Sequence, residues 1–100
     1  MAARAPVDIG TFIYSDPTFR RGRPCIAGTG LSVHAVASCY REGQSAEAIA
    51  ADIPDVPLSH LHAALAYYLA NREEFDAELD AEAAEHDRLY DQWTRERRGA

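Results

Sequence analysis

A mainly α-helical fold, opened by a short N-terminal β-hairpin and closed by a long acidic helix, is what this chain predicts. Three observations carry that reading. From Ser32 to Leu69 apolar residues recur at spacings of three and four, the period of a helix face. Ahead of them lie two short apolar runs, residues 11–14 and 24–27, too brief for helices and separated by turn-forming residues. Behind them, the segment from Asn71 onward is rich in alanine and acids and keeps apolar residues in a seven-residue frame.

The elements follow in order. Residues 1–10 read as a flexible leader, as chain ends often are. The first strand, 11–14, is stopped by Ser15-Asp16-Pro17, and the second, 24–27, pairs with it across a loop of arginines. Two strands alone are marginal in water, so the hairpin must pack on helices or pair across a dimer. Helical order begins near Ser32 with Val33, Val36, Ala37 and Tyr40, and Gly43 suits the position after the helix end. Ser45 caps a second helix, whose Glu47 favours the positive dipole end and whose Ala48, Ile49 and Ile53 are its expected buried side. Pro54-Asp55-Val56-Pro57 cannot continue it. A third helix starts after Ser59, with Leu61, Leu65, Tyr68 and Leu69 as its apolar stripe. Residues 11–70 therefore form a three-helix, helix-turn-helix-like domain with the hairpin at its start. Residues 71–100 form an arm, roughly 42 Å long if helical from 71 to 98.

One hundred residues, 47% hydrophobic and 26% charged, suit one small globular domain with polar extensions. No apolar run approaches the roughly 20 residues that cross a bilayer, and no signal-peptide core is present, so the cytoplasm is the expected compartment and no membrane is involved. Catalysis finds little support. His60 and His62 are two apart and point to different faces of a helix, a poor metal pair. Cys25 and Cys39 lack Cys-x-x-Cys spacing, and Cys39, inside the first helix, reads as a buried free thiol. Gly28-Thr29-Gly30 is too short for a phosphate loop. No enzyme activity, metal or cofactor is expected.

The charge is split. The net −6 divides into +3 for residues 1–41 and −9 for residues 42–100. Between Glu73 and Asp91, nine acids face a single arginine, Arg88. A basic front and an acidic back point to two surfaces with different partners.

Several ordered motifs are similar to those of a known family. They are Gly22-Arg23-Pro24-Cys25-Ile26-Ala27-Gly28-Thr29-Gly30, then Val33, Gly43-Gln44-Ser45, Pro54, and Ala64-Leu65-Ala66-Tyr67. In this order, residues 13–76 resemble the domain-of-unknown-function 433 family. The family pattern carries a basic residue where Ala27 stands and an arginine where Gly30 stands, while Arg23 keeps a positive charge. The family resembles helix-turn-helix proteins, and some members look like VapB-type antitoxins partnered with PIN-like ribonuclease toxins. The resemblance thus implies an antitoxin that binds a cognate PIN-like toxin and represses its own promoter as a homodimer.

On that implication, two residue sets become candidates. Operator DNA would meet Arg20, Arg21, Arg23 and Arg41 at its phosphates, and Ser59, His60 and His62 from the start of the third helix. That helix start carries no arginine or asparagine for bidentate base contacts, and its connection from the second helix is longer than the usual turn. The toxin would meet Phe75, Leu79, Leu89 and Trp93, with Arg95, Arg97 and Arg98 entering a carboxylate cluster. The alternative is an interaction or structural protein that uses the same arm and dimer surface without touching nucleic acid.

Overall fold

The computed structural model describes residues 6–99. It is mainly helical, with a two-stranded antiparallel hairpin and four α-helices: β1 Ile13–Tyr14, β2 Cys25–Ile26, α1 Val33–Arg41, α2 Ala46–Asp52, α3 Leu58–Ala70 and α4 Arg72–Gly99. Single 3-10 turns occupy Ile9–Phe12 and Arg20–Gly22. The chain divides into two compact units, one ending at Ala70 and one beginning at Asn71. Residues 1–5 of the expected leader lie outside the described residues, and Asp8 caps the 3-10 turn by accepting from the Gly10 amide.

Both strands are shorter than their apolar runs. Ile13 sits opposite Ile26 and Tyr14 opposite Cys25. Residues 11 and 12 belong to the 3-10 turn instead, because Thr11 donates from its amide and its hydroxyl to the Asp8 carbonyl. The second edge of β2 is also occupied: the chain reverses, the Ile26 amide donates to Leu31 O at 2.8 Å, and the Val33 amide donates to Pro24 O at 2.9 Å. That reversal needs Gly28, whose φ of 78° is left-handed. The Thr29 hydroxyl locks it by donating to Ile26 O and accepting from the Leu31 amide. Gly28-Thr29-Gly30 is thus a turn that delivers the chain into α1.

The helix limits follow local chemistry. Ser32 Oγ accepts from the Ala35 amide at 3.1 Å and Ser45 Oγ from the Ala48 amide at 3.1 Å, each satisfying a donor that the first turn leaves open. Gly43, at φ 100°, lets the chain leave α1, with its amide on Tyr40 O. Helix α3 starts one residue before Ser59, since the Pro57 carbonyl accepts from both His60 and Leu61 amides. Because Ser32 is itself buried, Ser32→Ala leaves an amide without its acceptor. We expect a loss of about 1 kcal/mol in chemical denaturation.

Helix α3 is the centre of the first unit. It contacts α1, α2, both strands and the first 3-10 turn. Tyr68, Ile26, Leu61, Val33, Val36 and Cys25 are its largest fully buried neighbours and members. Burying Leu61 and Leu65 alone contributes about 1.5–3 kcal/mol each.

The burial pattern corrects four expectations. Ala46, not Ala48, is buried on α2, because Ala46 and Ile49 are three apart and share a face whereas Ala48 lies more than a third of a turn from its middle. Leu69 is 45% exposed, beyond the edge of the stripe formed by Leu61, Leu65 and Tyr68. Tyr40 lies at the rim of the core, with its ring edge-on to Tyr68 at 6.2 Å. Of the two free cysteines, Cys25 is the fully buried one and Cys39 is half-buried. His34 is buried as well, which its spacing did not signal.

The second unit is α4, a 28-residue helix of about 42 Å. Its ladder begins with the Phe75 amide on Asn71 O. A short ion pair along it joins Arg88 to Glu85, at 2.6 and 3.0 Å. That two-pronged contact holds the Glu85 carboxyl below its ordinary range. No helix among the described residues is long and apolar enough to cross a membrane.

Candidate functional site

The arginine loop is held by its own hydrogen bonds and strained in its backbone. Asp16 Oδ1 accepts from the Thr18 amide at 2.9 Å and from the Thr18 hydroxyl at 2.7 Å, and these bonds lower its pKa. The Phe19 amide then donates to Asp16 O, Gly22 to Phe19 O and Arg23 to Arg20 O. Within this frame Arg20 and Arg21 take φ of 50° and 57°. A left-handed backbone costs a residue with a side chain about 1–2 kcal/mol, so two such arginines in a row store strain. Both side chains are exposed, and the Arg20 guanidinium lies 5.3 Å from the centre of the Phe19 ring. Arg23 is half-buried, and Arg41 ends α1 in an exposed position. The sequence reading located these arginines but not their backbone. Replacing Arg21 by glycine is expected to raise the unit's stability by about 1 kcal/mol in urea denaturation, by releasing one left-handed residue.

The start of α3 is already engaged. The His60 ring stacks on Phe12, centroids 4.0 Å apart and 9° from parallel. Its Nδ1 lies 3.2 Å from Ser59 Oγ. His62 Nε2 lies 3.6 Å from Glu47 of α2. An acid beside His62 disfavours a phosphate there, and a stacked His60 is not free to turn toward a base edge. The geometry therefore joins Ser59 and His60 to the core rim and leaves Arg20 and Arg21 as the exposed cations of the loop.

Between α1 and α2 lies an apolar cavity of about 110 Å³, lined by Leu31, Ala35, Val36, Cys39, Gln44, Ile49, Asp52 and Ile53. Nothing in the spacing signalled it, since its walls come from two helices, from Leu31 in the turn ahead of α1, and from Gln44 and Ile53 at the ends of α2. Gln44 Nε2 reaches Asp52 Oδ2 at 3.4 Å on its polar side. The Cys39 thiol is pushed up by burial first, and then by the charges of Glu42 and Asp52. It is kept protonated and is a poor nucleophile. Among the described residues no group of three or more His, Cys, Asp or Glu is placed to hold a metal ion.

On α4 the arm candidates divide. Phe75 is buried and Leu79 half-buried. Leu89 and Trp93 are 51% and 52% exposed, and so is Tyr90 at 59%, an aromatic that the seven-residue frame passed over. Tyr90 and Trp93 rings lie 6.0 Å apart, and the Arg97 guanidinium sits 4.7 Å from the centre of the Trp93 ring. Arg95 and Arg98 are exposed beside them. Three large apolar side chains and three arginines thus share the last three turns. Such a combination is rich in the residue types that dominate protein interfaces.

Residues 13–68, just over half of the chain, match the model of the family described as protein of unknown function DUF433. A solved structure of a DUF433 member protein from Anabaena variabilis is similar, with 26% identity and a TM-score of 0.63, covering 70% of this chain and 69% of that one. Comparison with curated proteins gives no match. The family match ends before α4 begins, so the arm lies beyond it.

Proposed function

The chain belongs to the DUF433 family, and on that premise we propose that it is the antitoxin of a type II toxin–antitoxin pair, acting in the cytoplasm. In this reading residues 11–70 are a helix-turn-helix-like unit and α4 is the arm that binds and neutralises a PIN-like ribonuclease toxin. Autorepression, as a homodimer on its own promoter, is the secondary part of the proposal. The observation that carries the reading is the exposure of Leu89, Tyr90 and Trp93 on one helix whose end is basic. A solitary surface helix gains nothing from such side chains, whereas a helix that docks on a partner does. Arg95, Arg97 and Arg98 then suit a nuclease's carboxylate cluster, where a guanidinium fork can occupy the place of a divalent metal. The test is co-purification with the product of the adjacent gene, followed by inhibition of its ribonuclease activity. Recovery of the chain without that partner would overturn the proposal.

A second reading, an interaction protein that leaves nucleic acid alone, is favoured by the engaged state of His60 and His62. A gel shift against the upstream DNA at two salt concentrations separates the two. If Arg20, Arg21, Arg23 and Arg41 each neutralise a phosphate, log K falls against log salt with a slope of roughly −3.6. No shift at low salt selects the second reading.

A further inference from the structure

The pocket between α1 and α2 combines an apolar interior with an acidic mouth. Val36 and Ile49, both buried, and Leu31, Cys39 and Ile53, all half-buried, supply most of its lining. Its polar members are Gln44, just ahead of α2, and the exposed Asp52, the last residue of that helix. No arginine or histidine is among the lining residues.

Size and charge together define an occupant. An apolar cavity of about 150 Å³ takes up benzene. At about 110 Å³ this one is smaller, and suits a hydrocarbon body of about four or five carbons. Drug-sized ligands, which need roughly 300–1,000 Å³, do not fit. The charge at the mouth is negative. Asp52 ends α2, where the helix dipole favours a cation over a carboxylate, so its charge does not serve the helix. Burial raises the Cys39 thiol first, and the charges of Glu42 and Asp52 raise it further, so both carboxylates are felt in the pocket wall.

We propose that this pocket binds a small aliphatic amine, with its branched hydrocarbon body among Leu31, Val36, Ile49 and Ile53 and its ammonium at the mouth beside Asp52. An anion with the same body meets two acids there and is rejected, and a neutral analogue gains only the apolar part. Every lining residue belongs to the first unit, and none is a candidate for toxin or DNA contact. Failure of the proposal would therefore leave the toxin-binding reading untouched.

The probe is isopentylamine, titrated into the full chain at neutral pH and followed by NMR of the Leu31, Val36, Ile49 and Ile53 methyl groups. Saturable shifts with a Kd on the order of a millimolar are expected, which is the reach of about six non-hydrogen atoms. Isopentyl alcohol is expected to bind about threefold more weakly, the worth of one exposed charge pair, and isovalerate weaker still. Asp52→Asn should erase the preference for the amine over the alcohol while both still bind. Ala35→Leu, at an exposed helical position on the pocket wall, should abolish binding of both with helix content unchanged by circular dichroism. Absence of methyl shifts with the amine overturns the proposal. So does isovalerate binding as well as the amine, a preference for the amine that survives Asp52→Asn, or binding that survives Ala35→Leu.

Discussion

Tyr68→Ala is expected to destabilise the first unit by about 3–5 kcal/mol, the cost of removing a large aromatic from a packed interior. Tyr68 is fully buried on α3, the element that touches α1, α2 and the hairpin, so a cavity there is felt by each of them. It also removes the ring that Tyr40 meets edge-on. Against a typical total stability of about 5–15 kcal/mol, such a loss takes a large share. Near-UV circular dichroism in urea follows the unit through its tyrosines. Leu69→Ala, one residue along but 45% exposed, provides the contrast and should cost less than about 1 kcal/mol. Equal costs for the two would mean that the apolar stripe extends to Leu69, as spacing alone suggests.

Trp93→Ala should weaken capture of the arm's partner by about thirtyfold or more, the loss of at least roughly 2 kcal/mol typical of an interface hot spot. The indole is half-exposed, lies beside Tyr90 and carries the Arg97 guanidinium on its face. Truncation therefore removes an apolar anchor and the platform that orients a cation. Deleting residues 94–100 goes further and removes Arg95, Arg97 and Arg98 together. Neutralisation of the toxin is then expected to be lost. Titration calorimetry measures the first change and a ribonuclease assay the second. Unchanged neutralisation by the shortened chain would rule out the basic end as an inhibitory plug.

Much of the fold was legible because its signals are local. Ser32, Ser45 and Gly43 act within one turn of their own positions, and each performs the capping that its residue type suggests. Pro54 and Pro57 bracket the break between α2 and α3 for an equally local reason. The candidate site was legible in part. The loop arginines and Trp93 were recognisable by type, whereas the left-handed backbone at Arg20 and Arg21 was not. No residue preference favours it, and the hydrogen bonds around Asp16 and Phe19 impose it. Tyr90 was missed because the seven-residue frame admits two positions per repeat, while the exposed face of a single helix is wider.

The sequence by itself determined where the helices start and stop, that a hairpin precedes them, and that basic and acidic segments are separated along the chain. Each follows from backbone propensity or from counting charge. Only the tertiary structure decided that α3 is the hub, that Ala46 rather than Ala48 and Cys25 rather than Cys39 are buried, and that an apolar pocket opens between α1 and α2. It also decided that His60 lies against Phe12 and His62 against Glu47. Periodicity says which residues share a face, but a face is buried only where another element covers it. That covering depends on contacts between residues far apart in the chain.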